Sequence, residues 1–146
     1  MFSIKMASKN DINTVVSLSL NLWKDNNYED LKQEFLNLLI SDNAVIYLCF
    51  FSSEPIGFAQ CQLRYDYVEG TQTSPVGYLE GIFVAEKYRR KGIAKELLKN
   101  CESWAKEKGC LEFASDCEFG NNDSLKFHKS LGFTQANTII CFTKKL

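Results

Sequence analysis

Residues 77–99, GYLEGIFVAEKYRRKGIAKELLK, pass from an apolar run through a basic turn into a helical pattern, and that hand-over constrains the fold most. Tyr78 to Val84 is β-rich and apolar enough to be a strand buried on both faces. From Lys91 to Lys108, Ile93, Leu97, Cys101, Trp104 and Ala105 recur at helical spacing, and Gly109 stands where the helix ends. A strand feeding directly into an amphipathic helix returns to its sheet by a crossover. Such a crossover needs a partly parallel sheet covered by helices.

The flanking segments complete this sandwich. Phe2 to Met6 reads as a first strand, and Ser8 is placed to cap a helix carrying Ile12, Val15, Val16, Leu18 and Leu22. A second helix is expected from Glu29 to Ile40, with Leu31, Phe35, Leu38 and Leu39 inward. The apolar runs Ala44 to Phe51 and Ile56 to Tyr67 flank the turn SSEP, which predicts an antiparallel hairpin. Val68 to Val76, holding Gly70 and Pro75, reads as a loop. Leu111 to Cys117 reads as a strand and Asn121 to Leu131 as a short helix closed by Gly132. Phe133 to Ala136 and Thr138 to Lys145 are expected as final strands. The order is β-α-α-β-β-β-α-β-α-β-β, an α/β fold with a mixed, mostly antiparallel central sheet flanked by helices. No repeat or Pro/Gly-rich linker divides residues 1–146, so a single domain is expected, long enough to bury a core without disulfides or metal.

Composition removes several classes of function. A formal net charge of -1 supplies no global field for nucleic acid. MFSIKMASKNDINTVV has no apolar run that could serve as a signal peptide or span, which predicts a cytoplasmic protein with no membrane partner. The six cysteines are scattered without a CxxC pair, so they are expected as small core residues rather than metal ligands.

Chemistry concentrates at the basic turn. The first amides of a helix lack partners in the chain and its dipole makes that end positive, so Arg89-Arg90-Lys91-Gly92-Ile93-Ala94 offers a phosphate-sized cradle. Gly92 and Ala94 keep side chains out of the anion's way. A solvated basic face is the competing account, and no GxxxxGK[ST] or GxGxxG motif is present. Glu80 is the second anomaly, because a carboxylate in a buried strand is costly unless it is paired or opens onto a polar cleft. A neighbouring ion pair would satisfy it, as would a role as base. Gly81 beside it marks a bulge or a close approach of other atoms.

R-x-x-G-x-A after a buried strand resembles the pyrophosphate loop of the GNAT superfamily of N-acetyltransferases. Asn121, His128 and Gly132-Phe133 resemble that family's N-x6-Y-x3-G-F segment, with histidine in place of tyrosine. The resemblance implies acetyl-coenzyme A as cosubstrate, with no metal. Backbone amides of Arg89, Arg90, Lys91, Gly92, Ile93, Ala94 and Lys95 would then hold the pyrophosphate. Ile82, Phe83 and Val84 would offer main chain to the pantetheine arm, and the Ile82 amide would polarise the acetyl carbonyl. Asn121 and Ser124 would contact the coenzyme. Glu80, placed two residues before Ile82 and expected on the same face, would take the proton of an attacking amine. His128, the single histidine, would donate to the departing thiolate or be a packed structural residue.

RYDYVEGTQTSPVGYLEGIFV and EFASDCEFGNNDSLKFHKSLGF are similar to the matching stretches of bacterial aminoglycoside 6'-N-acetyltransferases, a subgroup that also carries the histidine. Carboxylates and aromatic rings at strand ends and in loops, Tyr65, Tyr67, Glu80, Asp116 and Glu118 among them, favour a polycationic amine as acceptor; the likeness implies Trp23, Tyr67, Glu80 and Asp116 around it, with Glu80 or Asp116 as base. Direct transfer in a ternary complex is expected. A covalent acetyl-Cys117 route lacks a paired histidine in the sequence logic. The alternatives are a polyamine or peptide amine as acceptor, or a coenzyme-binding sensor without turnover. The resembling subgroup also implies a homodimer, with Thr138 to Lys145 pairing between copies.

Overall fold

The spine is a five-stranded sheet in the order β1-β2-β3-β4-β5, in a computed structural model that describes residues 1–146. Its strands are β1 (Phe2–Met6), β2 (Ala44–Phe51), β3 (Glu54–Arg64), β4 (Val76–Val84) and β5 (Phe113–Ala114). The helices are α1 (Ile12–Ser19), α2 (Tyr28–Leu39), α3 (Ile93–Glu107) and α4 (Asn122–Ser130). β1 through β4 pair antiparallel, and β5 alone runs parallel to its neighbour β4, reached through α3. The expected hairpin and crossover are both present, and the mixed, mostly antiparallel sheet flanked by helices is the observed fold.

Alternation along the strands splits the core between the two faces. Val45, Cys49, Ala59, Cys61 and Leu79 pack against α3 through Leu97, Cys101 and Trp104. Ile46, Leu48 and Phe58 pack on the other face against α1 and α2 through Val15, Val16, Leu31 and Phe35. Gly77 lets α3 lie close on β4: a Cβ there would come within 2.7 Å of Ala105 Cβ. Cys49, Cys61, Cys101 and Cys110 are buried, whereas Cys117 and Cys141 are exposed, and all are free thiols.

Several boundaries differ from the sequence pattern. Ser8 precedes a 3-10 turn, Lys9–Asp11, and α1 begins only at Ile12 and ends at Ser19, so Leu22 lies beyond the helix and is exposed. Val76 belongs to β4 rather than the preceding loop. The strand expected over Leu111 to Cys117 reduces to Phe113–Ala114, because β4 offers it partners only at Gly77 and Tyr78. The two final strands are absent. No backbone hydrogen bond is made from residue 134 onward, since the segment meets no strand edge in its own chain. Ile139, Ile140 and Phe142 stand 61%, 80% and 88% exposed.

Candidate active site

β4 ends at Val84, and a 3-10 turn, Glu86–Tyr88, carries the chain into the basic turn before α3. Arg90 and Gly92 both take the left-handed conformation there, with φ of 62° and 82°. Alternating left-handed residues aim successive amides to one side. The amides from Arg90 to Lys95 make no hydrogen bond within the chain; the next, Glu96, bonds the Gly92 carbonyl at 3.1 Å. A Cβ on Gly92 would meet nothing within 4 Å, so the space in front of the turn is open. A run of free amides at a helix N-terminus, ringed by basic side chains, suits a diphosphate. Arg89 differs from expectation: its amide bonds the Glu86 carbonyl, and its Nε donates to the Val84 carbonyl at 2.7 Å. Arg89 therefore fixes the path between β4 and the cradle, and it uses the carbonyl of Val84 to do so.

The anomaly at Glu80 is a β-bulge. Gln60 pairs with Gly81 and Cys61 with Leu79, which leaves Glu80 as the extra residue of β4. The added residue inverts the alternation, so Glu80 faces the α1–α2 side while Ile82 packs with the α3-side core. The expectation that the two share a face is thus corrected. Glu80 is ion-paired: Arg64 Nε and Nη2 reach its carboxylate at 3.1 and 2.6 Å. The Arg64 guanidinium also lies 3.5 Å over the Tyr78 ring, and the Tyr78 hydroxyl donates to Asp116 Oδ2. Burial, then the hydrogen bond and charge of Asp116, push the Tyr78 phenol above its ordinary value of 10.0. Glu80, Arg64, Tyr78 and Asp116 form one connected wall. Asp116 Oδ1 has no partner in the chain, and Asp116 is exposed.

Trp23 abuts this wall. Its ring packs against Phe35 and Phe58 with centroids 6.3 and 6.1 Å away, and a Cβ on Gly81 would come within 2.7 Å of it. Gly81 is therefore both beside the bulge and under a close approach.

Beyond Tyr78↔Ala114, β4 and β5 pair no further, and a gap opens between them. Ser115 and Asp116, consecutive at the end of β5, send their side chains to different partners. Asp116 meets Tyr78, whereas Ser115 Oγ lies 2.8 Å from His128 Nε2 and 3.3 Å from the Leu79 carbonyl. His128 Nδ1 is 2.8 Å from the Ser124 carbonyl. Asn121 Oδ1 accepts from the Ser124 amide at 3.2 Å, so Asn121 caps α4.

A cleft of about 810 Å³ beside β5 and α4 brings Tyr67, Asp116, Glu118, Asn121 and His128 together with Arg64 and Tyr78. Trp23, Tyr65, Ser124, Glu80, Ile82–Val84 and the Arg89–Lys95 turn lie outside its lining. Tyr65 is turned away, its hydroxyl 3.3 Å from Asn43 Oδ1. Reading the sequence singled out neither Arg64, Tyr78 nor Ser115. Tyr78 carried a signal, standing two residues from Glu80 in one strand; Arg64 did not, because its pairing depends on a bulged register.

Three kinds of comparison show what the chain as a whole is similar to. The family model described as "Acetyltransferase (GNAT) family" matches residues 12–133. Aminoglycoside N(6')-acetyltransferase type 1 of Acinetobacter haemolyticus is 39% identical over 144 residues, covering 99% of each chain. The structure of AAC(6')-Iy in complex with the bisubstrate analogue CoA-S-monomethyl-acetylneamine superimposes with a TM-score of 0.96 at 32% identity, covering 100% of this chain and 99% of that one. AAC(6')-Ih from Acinetobacter baumannii gives 0.95 at 37% identity, covering 100% and 99%.

Proposed function

The chain belongs to the GNAT acetyltransferase family, and we propose that it moves the acetyl group of acetyl-coenzyme A onto the 6'-amine of an aminoglycoside. The observation that carries this reading is the run of free amides from Arg90 to Lys95, followed across the β4–β5 gap by the acidic wall. A thioester delivered by the diphosphate has one route to an amine held at the carboxylates, and it runs through that gap. Ile82 and Phe83, on the edge of β4 that β5 does not cover, offer main chain along the way, and an amide there would face the developing oxyanion.

Asp116 is the base in this reading. It has a free oxygen on the cleft, whereas Glu80 must first release Arg64 before it can accept a proton. Glu80, Glu118, Tyr67 and Trp23 then receive the ring amines, charge and aromatic faces together favouring a polycation. Asn121 and Ser124 contribute chiefly by setting α4 and the histidine on it. Attack is direct, without an acetylated Cys117, in a single domain over residues 1–146.

The active species is a homodimer. Residues 131–139 line the far side of the same cleft, and the apolar segment Thr138–Lys145 stands exposed at the end of the chain. Paired with its counterpart in a second copy, that segment would wall the far side of the cleft without filling it. No helix is long and apolar enough to cross a membrane. Free thiols throughout and a coenzyme-A substrate support a cytoplasmic location.

Thiol release measured with kanamycin, tobramycin, spermine and a peptide amine tests the acceptor. Turnover on the aminoglycosides with little on the others is expected; turnover on spermine alone would sink this reading.

A further inference from the structure

Ser115 sits at the mouth of the β4–β5 gap with a histidine behind it, and the hydrogen bonds around the two are directional. The Ser124 carbonyl, 2.8 Å from His128 Nδ1, can only accept, so it takes a hydrogen from Nδ1, and Ser124 Oγ, 3.3 Å from the same nitrogen, is the weaker contact. The Leu79 carbonyl, 3.3 Å from Ser115 Oγ, can also only accept, so it takes the Ser115 hydroxyl hydrogen. With that hydrogen committed, Ser115 Oγ is left to accept from His128 Nε2 at 2.8 Å. All three contacts hold together only when both ring nitrogens are protonated. A neutral ring would instead draw the hydroxyl hydrogen onto Nε2 and leave Leu79 without its donor. The direction of the Ser115 hydroxyl thus follows the charge on His128. Only the charged ring turns it toward β4.

We propose that Ser115, rather than His128, gives the proton to the departing thiolate, with His128 as the positioning residue that recharges it. This rests on the acetyltransferase reading above. His128 Nδ1 faces a backbone carbonyl of its own helix and Nε2 faces Ser115, so a ring proton reaches the gap only through Ser115, whose hydroxyl leaves the Leu79 carbonyl for the sulfur. Phe127 and Phe133 close the sides of its ring, with centroids 6.2 and 5.3 Å away. Ser115 is the group that reaches the edge of the gap. As the new C–N bond forms and the C–S bond breaks, sulfur takes the electron pair and then the Ser115 hydroxyl proton. Ser115 Oγ takes the Nε2 proton in turn, and the neutral ring regains one from solvent. The amine's own proton leaves separately by Asp116. Ser115 and Asp116 therefore divide the two proton transfers between opposite sides of one strand end.

Steady-state thiol release and calorimetry on the intact protein test this. Ser115→Ala is expected to lower kcat about tenfold or more, less than the usual general-acid effect of about a hundredfold or greater because a thiolate leaves readily. The dissociation constant for acetyl-coenzyme A should stay within about twofold, and Ser115→Thr should recover most of kcat. His128→Gln combined with Ser115→Ala should be no slower than the slower single variant, as groups acting in series require. Unchanged kcat in Ser115→Ala, or losses that multiply in the double variant, would overturn the relay. Wild-type inactivity toward every aminoglycoside would instead count against the acceptor assignment. The same variants are then compared on hydrolysis of acetyl-coenzyme A, whose leaving group is identical.

Discussion

Tyr78 stands between a guanidinium on its face and a carboxylate at its hydroxyl, and each neighbour constrains its ionisation differently. Burial and Asp116 raise its pKa, the nearby Arg64 charge opposing them. A raised folded-state value means that the folded protein holds this proton more tightly than the unfolded chain. Stability from this source is complete below the ordinary phenol value of 10.0 and is lost as pH rises above it. Urea unfolding of Tyr78→Phe followed from pH 8 to pH 11 should therefore show a shallower alkaline fall than wild type; an equal fall would mean that neither burial nor Asp116 makes the folded protein hold the phenol proton more tightly. Asp116 itself supports a kinetic prediction. Asp116→Asn keeps the side chain's shape and removes its basicity, so kcat should fall about a hundredfold with the KM for acetyl-coenzyme A little changed. Glu80→Gln should act mainly on the KM for the aminoglycoside, because Glu80 is held by Arg64 rather than poised to take a proton. Equal kcat losses in the two variants would return Glu80 to the role of base. The partners of these residues explain what sequence reading could see. That Glu80 was anomalous followed from a charge in an apolar run. Its ion pair did not, because Arg64 is distant along the chain and meets Glu80 only through the register of β3 on a bulged β4.

Among the elements, β4 does most of the positioning, and a glycine decides its shape. The bulge at Glu80 puts Gly81 under the Trp23 ring, where an added Cβ would lie 2.7 and 2.8 Å from ring carbons. The ring cannot retreat freely, being packed on Phe35 and Phe58. Gly81→Ala should therefore cost about 1–3 kcal/mol in urea unfolding, as overpacking does, and raise the aminoglycoside KM by shifting Trp23. Loss below about 0.5 kcal/mol, the scale of an ordinary surface change, would show that the approach is not rigid. Element by element, legibility tracked where each hydrogen-bond partner lies. The β2–β3 hairpin and α3 were readable because a turn signal or a 3.6-residue period is local. β5 was overestimated. Leu111 to Cys117 has a strand's side chains, but β4 turns away after Tyr78 and leaves the later residues to bind Leu79 and Tyr78 by side chain alone.

In the whole molecule, the sheet remains open at β5 while the chain's end carries a strand's pattern with nothing to pair with. Residues 138–145, TIICFTKK, have the composition of a strand, yet no backbone hydrogen bond is formed from residue 134 on. A side-chain pattern shows that a segment favours pairing, but it is silent on whether the partner edge lies in the same chain. Asn137 Nδ2 holds Glu69 at 2.6 Å, so the segment is fixed to the rim of the cleft just before it departs. Exchange of the terminal segments between two copies would cover Ile139, Ile140 and Phe142 and supply β5 with an outer neighbour. Sedimentation of the full chain should give twice the monomer mass, and a chain ending at Asn137 should sediment as a monomer. Ile140→Asp should do the same without shortening the protein, since a charge cannot be buried unpaired between strands. A dimer closed in this way would lose one wall of its cleft in both variants, so the aminoglycoside KM should rise, while acetyl-coenzyme A, proposed to bind at the N-terminus of α3, should bind as before. A shortened chain that still sediments as a dimer would place the interface elsewhere on the surface and leave the exposed tail without a partner.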